Sequence, residues 1–88
     1  MSGYTIAEVG REPHGMAPVF SPDEKGHRRA ELCAAGARER TGVVHRVVED
    51  WYEWDQAPNV EQFADDPSWA SWPRPAGGGR IEPRGRPE

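Results

Sequence analysis

Apolar and polar residues alternate near the start of the chain, from Tyr4 to Val9. A period of two is typical of a strand that has one face towards a core, so the pattern predicts a short strand ended by Gly10. The next ten residues are punctuated by glycines and prolines and predict a loop. Val19 and Phe20 at the end of this loop are expected to be an apolar anchor.

A helix is predicted to follow the loop. Ser21 can cap the helix with its hydroxyl group, Pro22 suits the first helical position, and Glu24 completes a capping box. The helix should continue to about Arg40, and Gly42 can adopt the left-handed conformation that ends it. Small and apolar residues form two stripes on this helix, which indicates close packing against a sheet: Ala30, Cys33, Ala34 and Ala37 on one side, Leu32 and Gly36 on the other.

The segment from Val43 to Trp54 fits two kinds of secondary structure. Its valines and tryptophans match a helical face, but branched and aromatic side chains favour strands. We interpret the segment as a strand, because two helices joined at Gly42 would have almost no loop between them.

The last third of the chain predicts short helical turns and then a disordered tail. Asn59 can cap a helix that reaches Phe63, and Asp66 with Pro67 can begin a further turn. From Pro73 the sequence is rich in proline, glycine and arginine. The expected architecture is therefore a small α+β domain over residues 1–72, with one main helix on a two- or three-stranded antiparallel or mixed sheet, and a disordered tail over residues 73–88.

Composition limits the class of protein. The 88 residues suffice for one domain, 35% are hydrophobic and 30% charged, and the formal net charge is −4. A domain of this size is marginally stable alone, so help from a partner or self-association is expected to be possible. There is no signal peptide or apolar run long enough to span a bilayer, which predicts a cytoplasmic protein that does not enter membranes.

Ten of the eleven basic residues are arginine, and alanine, glycine and proline are frequent, as in proteins from GC-rich genomes. With the runs Ser21-Pro22-Asp23-Glu24 and Arg40-Thr41-Gly42-Val43-Val44-His45-Arg46-Val47-Val48, the chain resembles small uncharacterised proteins of actinobacteria and their bacteriophages. This resemblance implies no catalytic residue.

The charge distribution gives the main functional signal. Between Arg46 and Arg74 there are seven acidic residues, no basic residue and all four tryptophans. Such a surface would attract a basic protein and anchor it through aromatic rings. The residues predicted to bind a partner are Glu49, Asp50, Trp51, Trp54, Asp65, Asp66, Trp69 and Trp72. In the alternative interpretation most of the tryptophans form the core, and the acids are its solvated face and partners for Arg28, Arg29, Arg38 and Arg40. Trp69 and Trp72, next to the tail, are then expected to be the more exposed pair.

Catalytic and ligand-binding chemistry has little support in the sequence. Cys33 is the only cysteine, and its helical spacing from His27 directs the two side chains apart, which favours a buried structural thiol. His14 and His45 belong to no recognisable catalytic or metal-binding motif. We therefore predict no metal, no cofactor and no enzymatic activity.

Three functions remain in order of preference. The first is an accessory or regulatory protein that binds a protein partner through its acidic, tryptophan-rich surface. The second is an acidic decoy that inhibits a nucleic-acid-binding enzyme of a host or phage by imitating phosphates. The third is a small enzyme that uses Cys33. Direct binding to nucleic acid is not expected, because the chain is acidic.

Overall fold

The structure is a computed structural model that describes residues 1–57, 64 and 66–73. In chain order the described elements are strand β1 (Thr5–Glu8), helix α1 (Glu24–Thr41), strand β2 (His45–Val48) and two short 3₁₀ helices, Trp54–Gln56 and Pro67–Ser71. The strands form one antiparallel sheet on which α1 packs. The predicted α+β class is confirmed, with two strands.

Strand β1 lies in the middle of the backbone pairing. On one side it pairs with β2, with Thr5 opposite Val48 and Glu8 opposite His45. On the other side Tyr4 and Phe20 exchange two backbone hydrogen bonds of 3.0 and 2.7 Å. The predicted apolar anchor at the end of the loop is therefore fully buried against the start of β1.

The pairing of the N-terminal segment continues beyond β1 after an interruption. The Gly3 N–H donates to the Tyr52 carbonyl at 2.7 Å, and Ser2 lies opposite Glu53. Compared with the β1–β2 register, Glu49 and Asp50 are two extra residues on the second strand, and Asp50 has a positive φ of 56°. The predicted strand up to Trp54 is therefore too long, because this bulge ends the regular strand at Val48.

The start of α1 differs from the prediction by two residues. Asp23, not Ser21, is the N-cap, and its Oδ1 accepts a hydrogen bond of 2.8 Å from the Gly26 N–H. The Ser21 hydroxyl donates to the same oxygen at 2.8 Å. Both bonds favour the ionised form and lower the pKa of Asp23 from its ordinary value of 3.8. An aspartate caps as well as a serine, so the sequence pattern alone could not choose between them.

The end of α1 is as predicted. Gly42 has a φ of 78°, and its N–H donates to the Arg38 carbonyl at 2.6 Å. Arg38 and Arg40 lie in the last turn, where positive charge is favourable. The left-handed glycine turns the chain back so that β2 begins three residues later.

The core lies between α1 and the sheet. The predicted stripe of small residues on α1 is buried, and it contacts Ile6 from β1, Phe20 from the loop and Trp69 from the second 3₁₀ helix. The second stripe is not part of this core. Leu32 is 67% exposed, while Gly36 faces the ring of Pro67.

Candidate interaction surface

Residues 49–55, called the acidic segment below, follow β2 directly. The carboxylates of Glu49, Asp50, Glu53 and Asp55 are exposed, and between them Trp51 and Trp54 are half-buried. Acidic and aromatic residues are therefore interleaved at the surface, as the sequence predicted for this part of the chain.

Backbone hydrogen bonds hold the acidic segment against the N-terminal residues. The Trp51 N–H donates to the Gly3 carbonyl at 3.0 Å, and the Trp54 N–H donates to the Met1 carbonyl at 2.6 Å. A Cβ atom at Gly3 would lie 3.4 Å from the Cε3 atom of Trp54, so this ring lies close to the glycine. The segment is thus placed by contacts with residues about fifty positions earlier.

The aromatic rings of the acidic segment have different exposures. Tyr52 is buried, and its ring meets the ring of Trp51 edge to face at a centroid distance of 5.6 Å. Trp51 and Trp54 remain partly accessible on either side of it. Tyr52 therefore anchors the segment to the domain, while the tryptophans keep surface available for contact with another molecule.

The negative charges of the acidic segment have few counter-charges. Within the described residues the Met1 ammonium group lies 3.2 Å from Glu53, and no ion pair connects Glu49, Asp50 or Asp55 to a basic side chain. The expected alternative, in which these acids pair with arginines of α1, is not found in the part of the chain that the structure describes. Within the described residues, three carboxylates are therefore without an ion-pair partner.

The second part of the predicted surface, from Asp66 to Trp72, is arranged differently. Trp69 is only 1% exposed and belongs to the core, so its assignment to an exposed pair was wrong. Asp66 caps the 3₁₀ helix, because its Oδ1 accepts a 3.2 Å hydrogen bond from the Ser68 N–H. Trp72 is 42% exposed, as predicted.

The burial of Trp69 has a clear physical cause. The helical face beneath it consists of small residues, and Pro67 lies against Gly36, so the 3₁₀ helix approaches α1 closely. The space left above these small side chains is filled by the largest ring available. The stripe of small residues predicted close packing against a sheet, and nothing near it in the sequence indicated the 3₁₀ helix.

His14 connects the loop before α1 to this C-terminal helix. Its Nδ1 accepts a 3.0 Å hydrogen bond from the Met16 N–H, which leaves Nε2 to donate to the Trp72 carbonyl at 3.1 Å. The His14 ring also meets the ring of Trp69 at a centroid distance of 5.8 Å. Both ring nitrogens are thus used in holding the fold together, a role that no local sequence pattern indicated.

Several predictions fall outside the described residues. These are the partner-binding role of Asp65, the short helix from Asn59 to Phe63, and nearly all of the tail over residues 73–88.

Cys33 and His27, the residues considered for nucleophilic or metal chemistry, have different surroundings. Cys33 is buried, as predicted, on the core face of α1. His27 instead packs edge to face on Tyr4 at 5.1 Å and lies 3.7 Å from Glu31. Among the residues that can be described, no three histidine, cysteine, aspartate or glutamate side chains form a group that could hold a metal ion.

A groove between α1 and β2 was not predicted from the sequence. It has a volume of about 300 Å³ and is lined by Glu31, Ala34, Ala35, Arg38, Val44, His45 and Val47. The groove borders the outer edge of β2, which faces away from β1. Val43 and Val44 before β2 are exposed, whereas Val47 is partly buried against the core, and no sequence pattern indicated the groove.

Comparison with known proteins adds no relative. No protein-family model matches the chain, and searches of curated proteins and of solved structures give no match. The described part of the chain contains no helix with the length and apolar character that a membrane crossing needs. Function must therefore be argued from the surface itself.

Proposed function

We propose that this protein is a non-catalytic accessory protein that binds a basic protein partner through its acidic segment. The proposal rests mainly on one arrangement, in which exposed carboxylates without ion pairs to described side chains surround the half-buried rings of Trp51 and Trp54. In this proposal the protein acts in the cytoplasm.

The arrangement suits two stages of binding. The exposed carboxylates, which have no basic side-chain partner among the described residues, attract positive charge over a Debye length of about 8 Å at physiological salt, which accelerates the encounter. Tryptophan rings that already lie partly against the domain lose little conformational freedom when a partner covers them, so they can act as anchors. The charges thus select the partner, and the rings retain it.

The proposed binding site is smaller than the sequence predicted. Glu49, Asp50, Trp51 and Trp54 remain, and the exposed Glu53 and Asp55 join them. Trp69 is excluded because it is in the core, and the Asp66 carboxylate already accepts a hydrogen bond from the Ser68 N–H. Trp72 is exposed, but its carbonyl belongs to the His14 contact, so we do not assign it to the site.

A variant in which three carboxylates of the acidic segment are replaced by amides tests the proposal against a matched control. The test variant carries Glu49→Gln, Asp50→Asn and Asp55→Asn. The control, called the α1 control, carries Glu24→Gln and Glu39→Gln on exposed positions of α1 and Glu12→Gln in the loop before it. Both changes remove three negative charges from an initial net charge of −4. Full-length proteins would be immobilised, and proteins retained from a lysate would be identified and then titrated as purified species.

The expected result is that a basic protein binds the wild type and the α1 control alike, and binds the acidic-segment variant at least about tenfold more weakly. The affinity of the wild type should fall as salt is added. If both variants bind equally well, or if the partner is not basic, the proposal is wrong.

The acidic decoy remains a second candidate, because a cluster of exposed carboxylates such as Glu49, Asp50 and Asp55 can also occupy a site made for phosphates. It makes a different prediction for the same purified partner. A decoy would be displaced by nucleic acid and would depend little on the rings, whereas the preferred function requires that Trp54→Ala weakens binding when nucleic acid is absent.

A further inference from the structure

The outer edge of β2 offers unpaired backbone groups. In an antiparallel pair the hydrogen-bonding direction alternates along each strand. The Val9 N–H donates to the Val44 carbonyl, so Val44, Arg46 and Val48 turn their backbone groups towards β1. The N–H and carbonyl groups of His45 and Val47 therefore point to the opposite side, where no described residue bonds to them.

An open strand edge favours the addition of another strand. Proteins usually protect such an edge with a proline, a bulge or an inward-pointing charge. Here the bulge at Glu49 and Asp50 comes only after β2, and the strand itself ends in two adjacent valines. The edge and the groove beside it thus form one continuous surface that another chain can cover.

The charges along the β2 edge of one copy are complementary to those along the β2 edge of a second, antiparallel copy. His45 and Arg46 lie at the start of β2, and Glu49 and Asp50 follow its end. When two copies of the strand run antiparallel with Val47 opposite Val47, Arg46 near the start of each strand lies towards the end of the other strand, which Glu49 and Asp50 follow. The basic start of each strand then lies beside the acidic end of its neighbour, which is favourable for cross-strand pairs.

The adjoining face of α1 also becomes charge-complementary when the same two-fold axis relates two copies. In the groove, Glu31 and Arg38 flank Ala34 and Ala35. A two-fold axis through the paired strands also places the two helices side by side in opposite directions. If the axis passes near the alanines, Glu31 of each copy lies opposite Arg38 of the other copy, which gives two equivalent ion pairs. The small alanine side chains allow the helices to approach each other.

We propose that this protein forms a symmetric dimer in which the β2 edges of two copies pair antiparallel about Val47 and the α1 helices meet across Ala34 and Ala35. The resulting sheet has four strands. The second copy is the favoured occupant because strand and helix are each charge-complementary under one two-fold axis. The ends of this interface lie beside Glu49 and Asp50 of the proposed partner-binding site, but the dimer forms without the basic partner.

Three variants of the full-length chain test the dimer by sedimentation equilibrium over a wide range of protein concentrations. His45→Pro removes an N–H that points to the open edge and breaks no described backbone hydrogen bond inside the chain. Arg38→Glu places like charges opposite each other across the axis. The double variant Glu31→Arg with Arg38→Glu exchanges the two charges and restores the attraction.

The wild type is expected to show a concentration-dependent dimer. The dissociation constant should rise at least about tenfold in His45→Pro and in Arg38→Glu, and return to within about threefold of wild type in the double variant. Arg28→Glu makes the same charge change at an exposed position of α1 that does not line the groove, and should leave the dimer intact. Circular dichroism confirms that each variant is folded.

The proposal is overturned if the wild type stays monomeric at millimolar concentration, or if a dimer forms that His45→Pro does not weaken. Failure of the double variant to restore what Arg38→Glu removes would also contradict it. None of these variants alters residues 49–55, so the result leaves the proposed partner-binding site to its own test.

Discussion

The acidic segment and the segment from Asp66 to Trp72 contain the same kinds of residue in different environments. In the acidic segment the carboxylates extend into solvent and the tryptophans are half-buried. In the second segment the carboxylate of Asp66 bonds to the Ser68 N–H, and Trp69 is fully buried between α1 and His14. The neighbour of each ring decides the difference, since small residues of α1 leave room for Trp69.

The buried ring and the half-buried rings have different roles, one in stability and the other in binding. A ring that fills the core contributes to the free energy of folding and cannot meet a partner without unfolding the domain. A half-buried ring contributes less to folding and keeps a face for another molecule. The two segments should therefore respond in opposite ways to substitution.

The largest expected effect is that of Trp69→Ala. Truncating a fully buried tryptophan costs about 3–5 kcal/mol, which is most of the stability of a domain this small. We expect the variant to lose its cooperative urea transition in circular dichroism, whereas Trp72→Ala should cost less than about 1 kcal/mol. Trp69→Phe is the control. It keeps most of the apolar contact, and the buried indole N–H that it removes has no acceptor among the described residues. A normal transition for Trp69→Ala would contradict the assignment of this ring to the core.

A smaller effect is expected at the bulge that begins the acidic segment. Asp50 has a φ of 56°, which aspartate, asparagine and glycine tolerate and a β-branched residue does not. Asp50→Val should lower the free energy of unfolding by about 1–2 kcal/mol, while Asp50→Gly should be neutral or stabilising. Urea denaturation measures both, with Asp50→Asn as the control. Equal stability of the valine and glycine variants would show that the left-handed conformation is not formed.

The smallest expected effect concerns Asp23, whose carboxylate, like that of Asp66, accepts a hydrogen bond from a backbone N–H at the start of a helix. The pKa of Asp23 is lowered by its bonds to Gly26 and Ser21, so its charge stabilises the folded state above the ordinary value of 3.8. This contribution is lost as the pH falls through the lower folded-state pKa. Between about pH 5 and pH 2, the melting temperature of the wild type should therefore fall by a few degrees more than that of Asp23→Asn. Parallel curves for the two proteins would mean that the cap bond is absent.

The sequence predicted the elements whose signals are local. The alternation around Ile6 gave β1, the capping residues before Glu24 gave the start of α1 to within two residues, and Gly42 gave its end. The helix end at Gly42 also favoured a strand over a second helix for the next segment, which the structure confirms. In each case a few neighbouring residues determine the backbone conformation through sterics or one hydrogen bond.

Contacts between distant residues could not be predicted. The pairing of Tyr4 with Phe20 is a single bridge, and the pairing of Gly3 with Tyr52 follows a bulge, so neither leaves a period in the sequence. The burial of Trp69 depends on the shape of a helix more than thirty residues earlier. The division of the acidic, tryptophan-rich region into a surface part and a core part is of this kind.

The central position of β1 has a consequence for how the chain is made. Residues 1–4 leave the ribosome about fifty residues before Tyr52 and Trp54, with which Met1 and Gly3 form hydrogen bonds. At a synthesis rate of about 5–20 residues per second, this segment waits several seconds for those bonds. During translation residues 1–4 are therefore among the last to complete their pairing, and a chaperone that meets the nascent chain would find Tyr4 and Ile6 unprotected.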